Sequence, residues 1–183
     1  LFRSPKLKGS YPMIFGKRVV LGPIMPPDLT SLFQWTDSAE DAAINGTYRP
    51  PSWNEQEEFW LLQQDPSRIF FAIRIKPRSE IAGYIQIREI EPVHRSAKIG
   101  IWIGEAAERG KGIGFEALEL AIDYCWRQLN LRRLTLEVFA HNEAAIRLYA
   151  RSGFEREGML KSAQYVEGAW IDIVLMALQR PGG

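Results

Sequence analysis

The chain has 183 residues, 46% of them hydrophobic, which is enough for one domain with a sizeable core and calls for no second domain. Its 23 basic and 22 acidic side chains nearly cancel, excluding a global field that would recruit nucleic acid or an anionic membrane, so any partner must be recognised locally. No run approaches the roughly 20 apolar residues of a membrane span, and a single cysteine, Cys125, excludes an intrachain disulfide.

Residues 1–12, LFRSPKLKGSYP, are basic and lack the apolar stretch of a signal peptide. They are expected to form a loose arm ahead of a single domain over residues 13–183, in a soluble cytoplasmic protein. Phe15 to Leu21 reads as a first strand, stopped by Gly22 and Pro23. Asp28 is placed to cap a helix through LTSLFQW, and Asn54 with Glu57 three residues later signals a second helix through EEFWLLQQ. The link between these helices is long, polar and irregular. Arg68 to Ile75 and Ile81 to Ile90 read as strands joined across KPRSE, and Ala97 to Gly104 as the next strand.

The stretch that follows organises the rest. Arg109-Gly110-Lys111-Gly112-Ile113-Gly114 separates the strand pattern Ile99, Ile101, Ile103 from a helix whose Phe115, Leu118, Ile122, Cys125 and Leu129 recur at helical spacing. Glycines there remove the Cβ atoms that would keep a ligand off the backbone. The first-turn N–H groups are unpaired and stand at the positive end of the helix dipole, an arrangement that suits a diphosphate. Nucleotide motifs fit poorly. A P-loop needs four residues between its first glycine and the Gly-Lys pair, but five separate Gly104 from Gly110, and Gly112 follows Lys111. A dinucleotide fingerprint would need a glycine at Phe115.

Downstream, Arg132 to Phe139 alternates as a strand, Asn142 caps a short helix and Gly153 closes it. The tail reads as a hairpin, Met159 to Val166 turning at Glu167-Gly168 into Ala169 to Leu178. That last strand is apolar on both parities apart from Asp172, so it is either central in the sheet or covered by a partner. Strands mix with helices without regular βαβ alternation, which predicts an α+β sheet with helices on both faces.

Arg109, Gly112 and Gly114 match the motif (Gln/Arg)-x-x-Gly-x-(Gly/Ala), and Asn142, Ala145, Ile146, Leu148, Tyr149, Gly153 and Phe154 reproduce NxxAIxLYxxxGF downstream. In both, the chain resembles the GNAT N-acetyltransferase superfamily, and within it the ribosomal-protein and polyamine acetyltransferase branch. The resemblance implies a mixed, mostly antiparallel sheet of about seven strands, with acetyl-CoA in a cleft where strands four and five splay apart. Those strands map to Ala97–Gly104 and Arg132–Phe139. The amides of Arg109, Gly110, Lys111, Gly112, Ile113, Gly114 and Phe115 would bind the pyrophosphate. The main chain of Ile101, Trp102 and Ile103 would hold the pantetheine arm and the acetyl carbonyl, with Asn142 and Ala145 as further contacts. Tyr149 would give a proton to the leaving thiolate. The implied reaction is acetyl transfer to a primary amine (a protein N-terminus, a polyamine or another small amine) by direct attack in a ternary complex. It needs no metal, and the family resemblance allows a homodimer.

Two positions depart from the family pattern. Phe115 stands where Ser or Thr is common, and Lys98 where many relatives carry the glutamate that serves as base. Glu89, Glu91, His94, Glu108, Glu137 and Asp172 remain as proton acceptors, and the sequence does not choose among them. The missing glutamate gives a second class of reading weight: a non-catalytic acyl-CoA-binding sensor or subunit of the same fold. Trp35, Tyr48, Trp53, Phe59 and Trp60 either pack in the core or line the amine pocket.

Overall fold

Apolar residues fall on both parities of the central strands, so the sheet they form needs a helical layer on each face. The computed structural model describes residues 13–38, 49–61 and 65–182; the arm at 1–12 and Tyr48 lie outside the described residues. In chain order the elements are β1 (Ile14–Phe15), β2 (Val19–Gly22), a 3-10 turn (Pro26–Asp28), α1 (Leu29–Thr36), α2 (Trp53–Leu61), β3 (Ile69–Ile75), β4 (Ile81–Glu91) and β5 (Ser96–Ile103). A second 3-10 turn (Ala106–Glu108), α3 (Ile113–Arg127), β6 (Arg133–Phe139), α4 (Glu143–Arg151), β7 (Glu155–Val166) and β8 (Ala169–Gln179) complete the described fold.

Eight strands make one sheet in the order β1-β2-β3-β4-β5-β6-β8-β7. Among them β5 and β6 run parallel and the other neighbours antiparallel. On one face α3 and α4 bury Ile113, Leu118, Ile122, Cys125 and Tyr149 against Ile73, Ile85, Ile99, Leu134 and Val174. On the other, α1 and α2 bury Leu29, Leu32 and Trp60 against Phe70, Ala72 and Ile81. Truncating a fully buried leucine of this kind to alanine costs about 2–5 kcal/mol, so these two layers hold the sheet's shape.

Several elements differ from their sequence reading. The sheet has eight strands rather than about seven because the expected first strand folds on itself: the Gly16 N–H donates to the Val19 carbonyl at 2.8 Å, and β1 pairs back on β2. β7 begins at Glu155 rather than Met159; as the edge strand it is exposed on nearly every residue, so no hydrophobic alternation marks its start. The last strand, β8, is central, lying between β6 and β7, which accounts for its apolar residues on both parities.

Neither helix cap falls where it is expected. α2 starts at Trp53, with the Gln56 N–H donating to the Ser52 carbonyl at 3.0 Å, which leaves Asn54 inside the first turn. Asp28 gives α1 no side-chain cap. Its carboxylate turns back to accept the Met25 N–H at 2.8 Å and two guanidinium N–H groups of Arg74, at 2.8 and 2.7 Å. Asp28 is buried and Arg74 largely so, and the pairing outweighs a cap there. Among the described residues no helix is long and apolar enough to cross a membrane.

Candidate active site

The parallel pair β5–β6 is joined only from Ser96↔Arg133 to Lys98↔Thr135. Beyond that point β5 stays on β4 as far as Gly83↔Ile103, while β6 stays on β8 as far as Phe139↔Ile173. The sheet therefore opens, and one edge of β5 faces a cleft. This is the splay expected between strands four and five, here β5 and β6.

Successive residues of a strand send their N–H and C=O to opposite neighbours. The Ile101 N–H donates to the Tyr149 phenol oxygen, and the Ile103 carbonyl accepts from Arg109 Nε at 2.8 Å. The main chain of Ile101 and Ile103 thus faces the cleft. That of Trp102, opposite in parity, faces β4, and its indole lies under the Arg109 guanidinium at 4.8 Å.

The glycine turn stands at the head of this cleft. Gly112 precedes α3 with φ 80° and ψ 4°, a left-handed conformation that costs other residues about 1–2 kcal/mol. No side chain caps the helix, and its first N–H groups have no partner within it. A Cβ on Gly114 would lie 3.6 to 3.7 Å from Leu148, Ile101 and Ile103, which places the first turn of α3 beside the open edge of β5. Ile113 is buried and anchors the turn in the core, while Gly110, at φ 76°, has no atom within 4 Å of its Cβ position.

Arg109 serves the turn as a brace. Its N–H already donates to the Ala106 carbonyl at 3.1 Å, and its guanidinium closes on the Ile103 carbonyl. The Lys111 ammonium is 3.6 Å from Glu108, which Arg78 also holds at 2.8 Å.

Two further cations come from positions that neither motif specifies. Arg18, just before β2, donates from Nη1 to the Lys111 carbonyl at 3.1 Å. The guanidinium of Arg151, at the end of α4, stacks on the Phe115 ring with its central carbon 4.0 Å from the centroid. Sequence reasoning missed both, because Arg18 has no local pattern and Arg151 is one arginine among many.

Tyr149 is positioned by α4. The Asn142 side chain caps that helix, accepting the Ala145 N–H at 3.1 Å, so this amide is already used within the protein and Ala145 itself packs against the core. Tyr149 is 6% exposed and its ring meets Phe154 at 5.8 Å. Burial pushes the phenol up to about 12, partly offset by the Ile101 N–H that it accepts. It is therefore protonated at neutral pH, and with its oxygen accepting from Ile101 the O–H is the group it can donate.

On β5 and β6 the residues Ala97, Ile99, Leu134, Leu136 and Val138 belong to the α3–α4 side, so Lys98 and Glu137 project from the opposite face. Lys98 Nζ lies 3.0 Å from Glu89 and 3.0 Å from Glu137, and hydrogen bonds to Glu89 and then Glu137 raise it above the ordinary lysine range. Lys98 is thus a fixed cation rather than a base, and an ion-paired one rather than a simply solvated one. Glu137 stands two residues past the last joined position of β6, on the wall of the cleft. Of the other acceptors, Glu108 is held by Arg78, and Asp172 accepts the Ser162 N–H at 2.7 Å.

Of the aromatic candidates, Trp60 is core, T-stacked on Phe70 and Tyr84. Phe59 packs on Phe70 and Trp53 on Phe33, both half in solvent. The Trp35 indole covers the end of β5 so closely that a Cβ on Gly104 would fall 2.0 Å from it. Among the described residues there is no group of three His, Cys, Asp or Glu side chains able to hold a metal ion.

A split parallel pair in an otherwise antiparallel sheet, with an uncapped glycine-led helix at its head, leaves unpaired main-chain groups along one cleft, an arrangement that suits a phosphate-bearing ligand. The family description "Acetyltransferase (GNAT) domain" matches residues 18–155, and the chain belongs to this family. It is 30% identical over 122 residues to a ribosomal-protein-serine acetyltransferase of Escherichia coli strain K12, covering 67% of this chain and 66% of that protein. It is 37% identical over 99 residues to a spermidine N(1)-acetyltransferase of the same strain, covering 54% and 53%. These matches span about half to two thirds of the relatives' length. Among solved structures, spermidine N-acetyltransferase from Vibrio cholerae in complex with CoA and spermine superposes with a TM-score of 0.82 at 25% identity, covering 90% of this chain and 96% of that one.

Proposed function

We propose that this protein is an N-acetyltransferase that moves an acetyl group from acetyl-CoA to a primary amine bound in the same complex. The observation that carries the reading is the β5–β6 opening, which brings the Ile101 main chain, the buried Tyr149 hydroxyl and the first turn of α3 to one cleft. The amides of the turn from Gly110 to Phe115 bind the pyrophosphate, and the open edge of β5 at Ile101 and Ile103 receives the pantetheine arm. CoA-bound structures of the same fold support this placement.

The bond from the amine nitrogen to the acetyl carbon forms as the carbon–sulfur bond breaks. The sulfur is left as a thiolate, next to which Tyr149 presents its proton. A thiol of pKa about 8.5 is a stronger acid than a phenol at about 12, so full transfer to a water-exposed thiolate would be uphill by about 3.5 units, roughly 5 kcal/mol. Burial in the same cleft raises the thiolate's basicity too, and Tyr149 first stabilises the developing charge by hydrogen bonding. Glu137 takes the ammonium proton, with Lys98 holding its carboxylate on the cleft wall.

Relatives act on the amines of a ribosomal protein and of spermidine, and both belong to the substrate class proposed for this chain. Neutralising an alkyl amine of pKa about 10 at pH 7 costs roughly 4 kcal/mol, whereas a peptide α-amine of pKa about 8 costs about 1.4. An acceptor panel of spermidine and of peptides beginning with Ser or Ala, read as release of CoA thiol, tests the reading. Turnover with one class supports it. Acetyl-CoA binding without turnover across the panel favours the non-catalytic acyl-CoA-binding reading instead.

A further inference from the structure

Phe115 stands in the first turn of α3, where the family resemblance leads one to expect a hydroxyl, and an aromatic ring offers a phosphate no hydrogen bond. What the ring does hold is a guanidinium. Arg151, the last residue of α4, is exposed and sits over Phe115 with its central guanidinium carbon 4.0 Å from the ring centroid, so the two helix ends meet with a positive charge beside the uncapped N-terminus of α3. Across the turn Arg18 supplies a second charge. Its Nη1 is 3.1 Å from the Lys111 carbonyl, and its Nη2 is 3.2 Å from where a Cβ on Gly112 would stand. Arg18 is committed to Glu116 as well, through Nε at 3.4 Å, whereas among the described residues no carboxylate is paired with Arg151. An aromatic face orients a guanidinium while leaving its N–H fork available in the ring plane.

We propose that Arg151, seated on Phe115, is a phosphate-binding residue of the CoA site, supplying by charge what a first-turn hydroxyl supplies elsewhere. The inference rests on the CoA-binding reading above and deepens it. The ligand chemistry is a phosphate group, provided either by the pyrophosphate or by the ribose 3′-phosphate.

The test is calorimetric titration of CoA, dephospho-CoA and phosphate-free pantetheine into the wild type, R151Q, F115A and the double variant, at low and high salt. R151Q is expected to weaken CoA about tenfold at low salt. The gap should narrow at high salt because an exposed charge contact is screened. F115A should weaken CoA by less, and adding it to R151Q should cost little more, since the ring acts through the arginine. A gap that persists with dephospho-CoA assigns Arg151 to the pyrophosphate, and one that vanishes assigns it to the 3′-phosphate; either supports the proposal. Unchanged CoA affinity in R151Q, or an equal loss for pantetheine, overturns it while leaving the functional reading intact. Failure of the wild type to bind CoA at all overturns both.

Discussion

Removing the Tyr149 oxygen separates two consequences that the structure ties to one atom. Tyr149→Phe keeps the ring against Phe154 and the core but deletes the acceptor of the Ile101 N–H and the donor aimed at the cleft. A buried N–H left without a partner costs about 1–3 kcal/mol. The smaller polar burden of phenylalanine offsets part of that, for a net loss of about 1 kcal/mol, or roughly 2–4 °C in Tm for a domain of this size. Catalysis should suffer more, because a positioned proton donor contributes about 10²–10⁴-fold, or roughly 3–5 kcal/mol of barrier. CoA affinity should stay within about threefold, since the change leaves in place both the main-chain amides of the α3 turn and the Arg151 side chain. The assays are thermal unfolding, CoA titration and turnover at saturating acetyl-CoA. A variant that binds CoA normally and retains kcat within about threefold of wild type would refute the role assigned to Tyr149.

Glu137→Gln should lower kcat/KM at pH 7 by about 10²-fold without altering CoA affinity, and an unchanged pH–rate profile would remove it from the mechanism. Arg74→Met strands the Asp28 carboxylate inside the protein and should cost about 3–5 kcal/mol by denaturant unfolding. Pairing it with Asp28→Leu should restore most of the loss, and a cost below about 1 kcal/mol for the single change would show that the pair is not the anchor of α1. Glu116 is opposed by burial, but the N–H groups of Arg18 and Val19 and the Arg18 guanidinium outweigh it and hold the carboxyl below its ordinary value. Its contribution to stability is thus present above about pH 4.5 and is lost as pH falls through the depressed folded value. The stability gap between wild type and Glu116→Gln should accordingly close on acidification, as followed by urea unfolding from pH 7 to pH 3; a gap independent of pH would show that ionisation of Glu116 does not matter.

The main-chain part of the site was legible in the sequence because it is local. Glycines at Gly110, Gly112 and Gly114 between a strand and a helix announce a turn with exposed amides, whereas Tyr149 was singled out by the family resemblance of the residues around it. Hydrophobic parity left two places open for the last strand, central or covered by a partner, and the sheet order decides for the first. What was not legible is set by distant pairing. Nothing near Asp28 signals that Arg74, 46 residues on, will take its carboxylate away from the helix cap. Nothing near Lys98 signals that Glu89 and Glu137 converge on it, because that meeting depends on the register of β4, β5 and β6. The bracing role of Arg109 likewise depends on the turn folding back over Ile103, which spacing alone does not encode. The break at Gly16 and the long exposed β7 were missed because edge segments have little hydrophobic pattern to read.

The most direct test of the central claim is transfer of a labelled acetyl group. With acetyl-CoA labelled in the acetyl carbon and spermidine or a Ser- or Ala-initiated peptide as acceptor, label should appear on the amine in one-to-one ratio with released CoA thiol. None should remain covalently on the protein after quenching. Thiol release without acetylated amine, or label retained on the protein, would contradict direct transfer in the β5–β6 cleft.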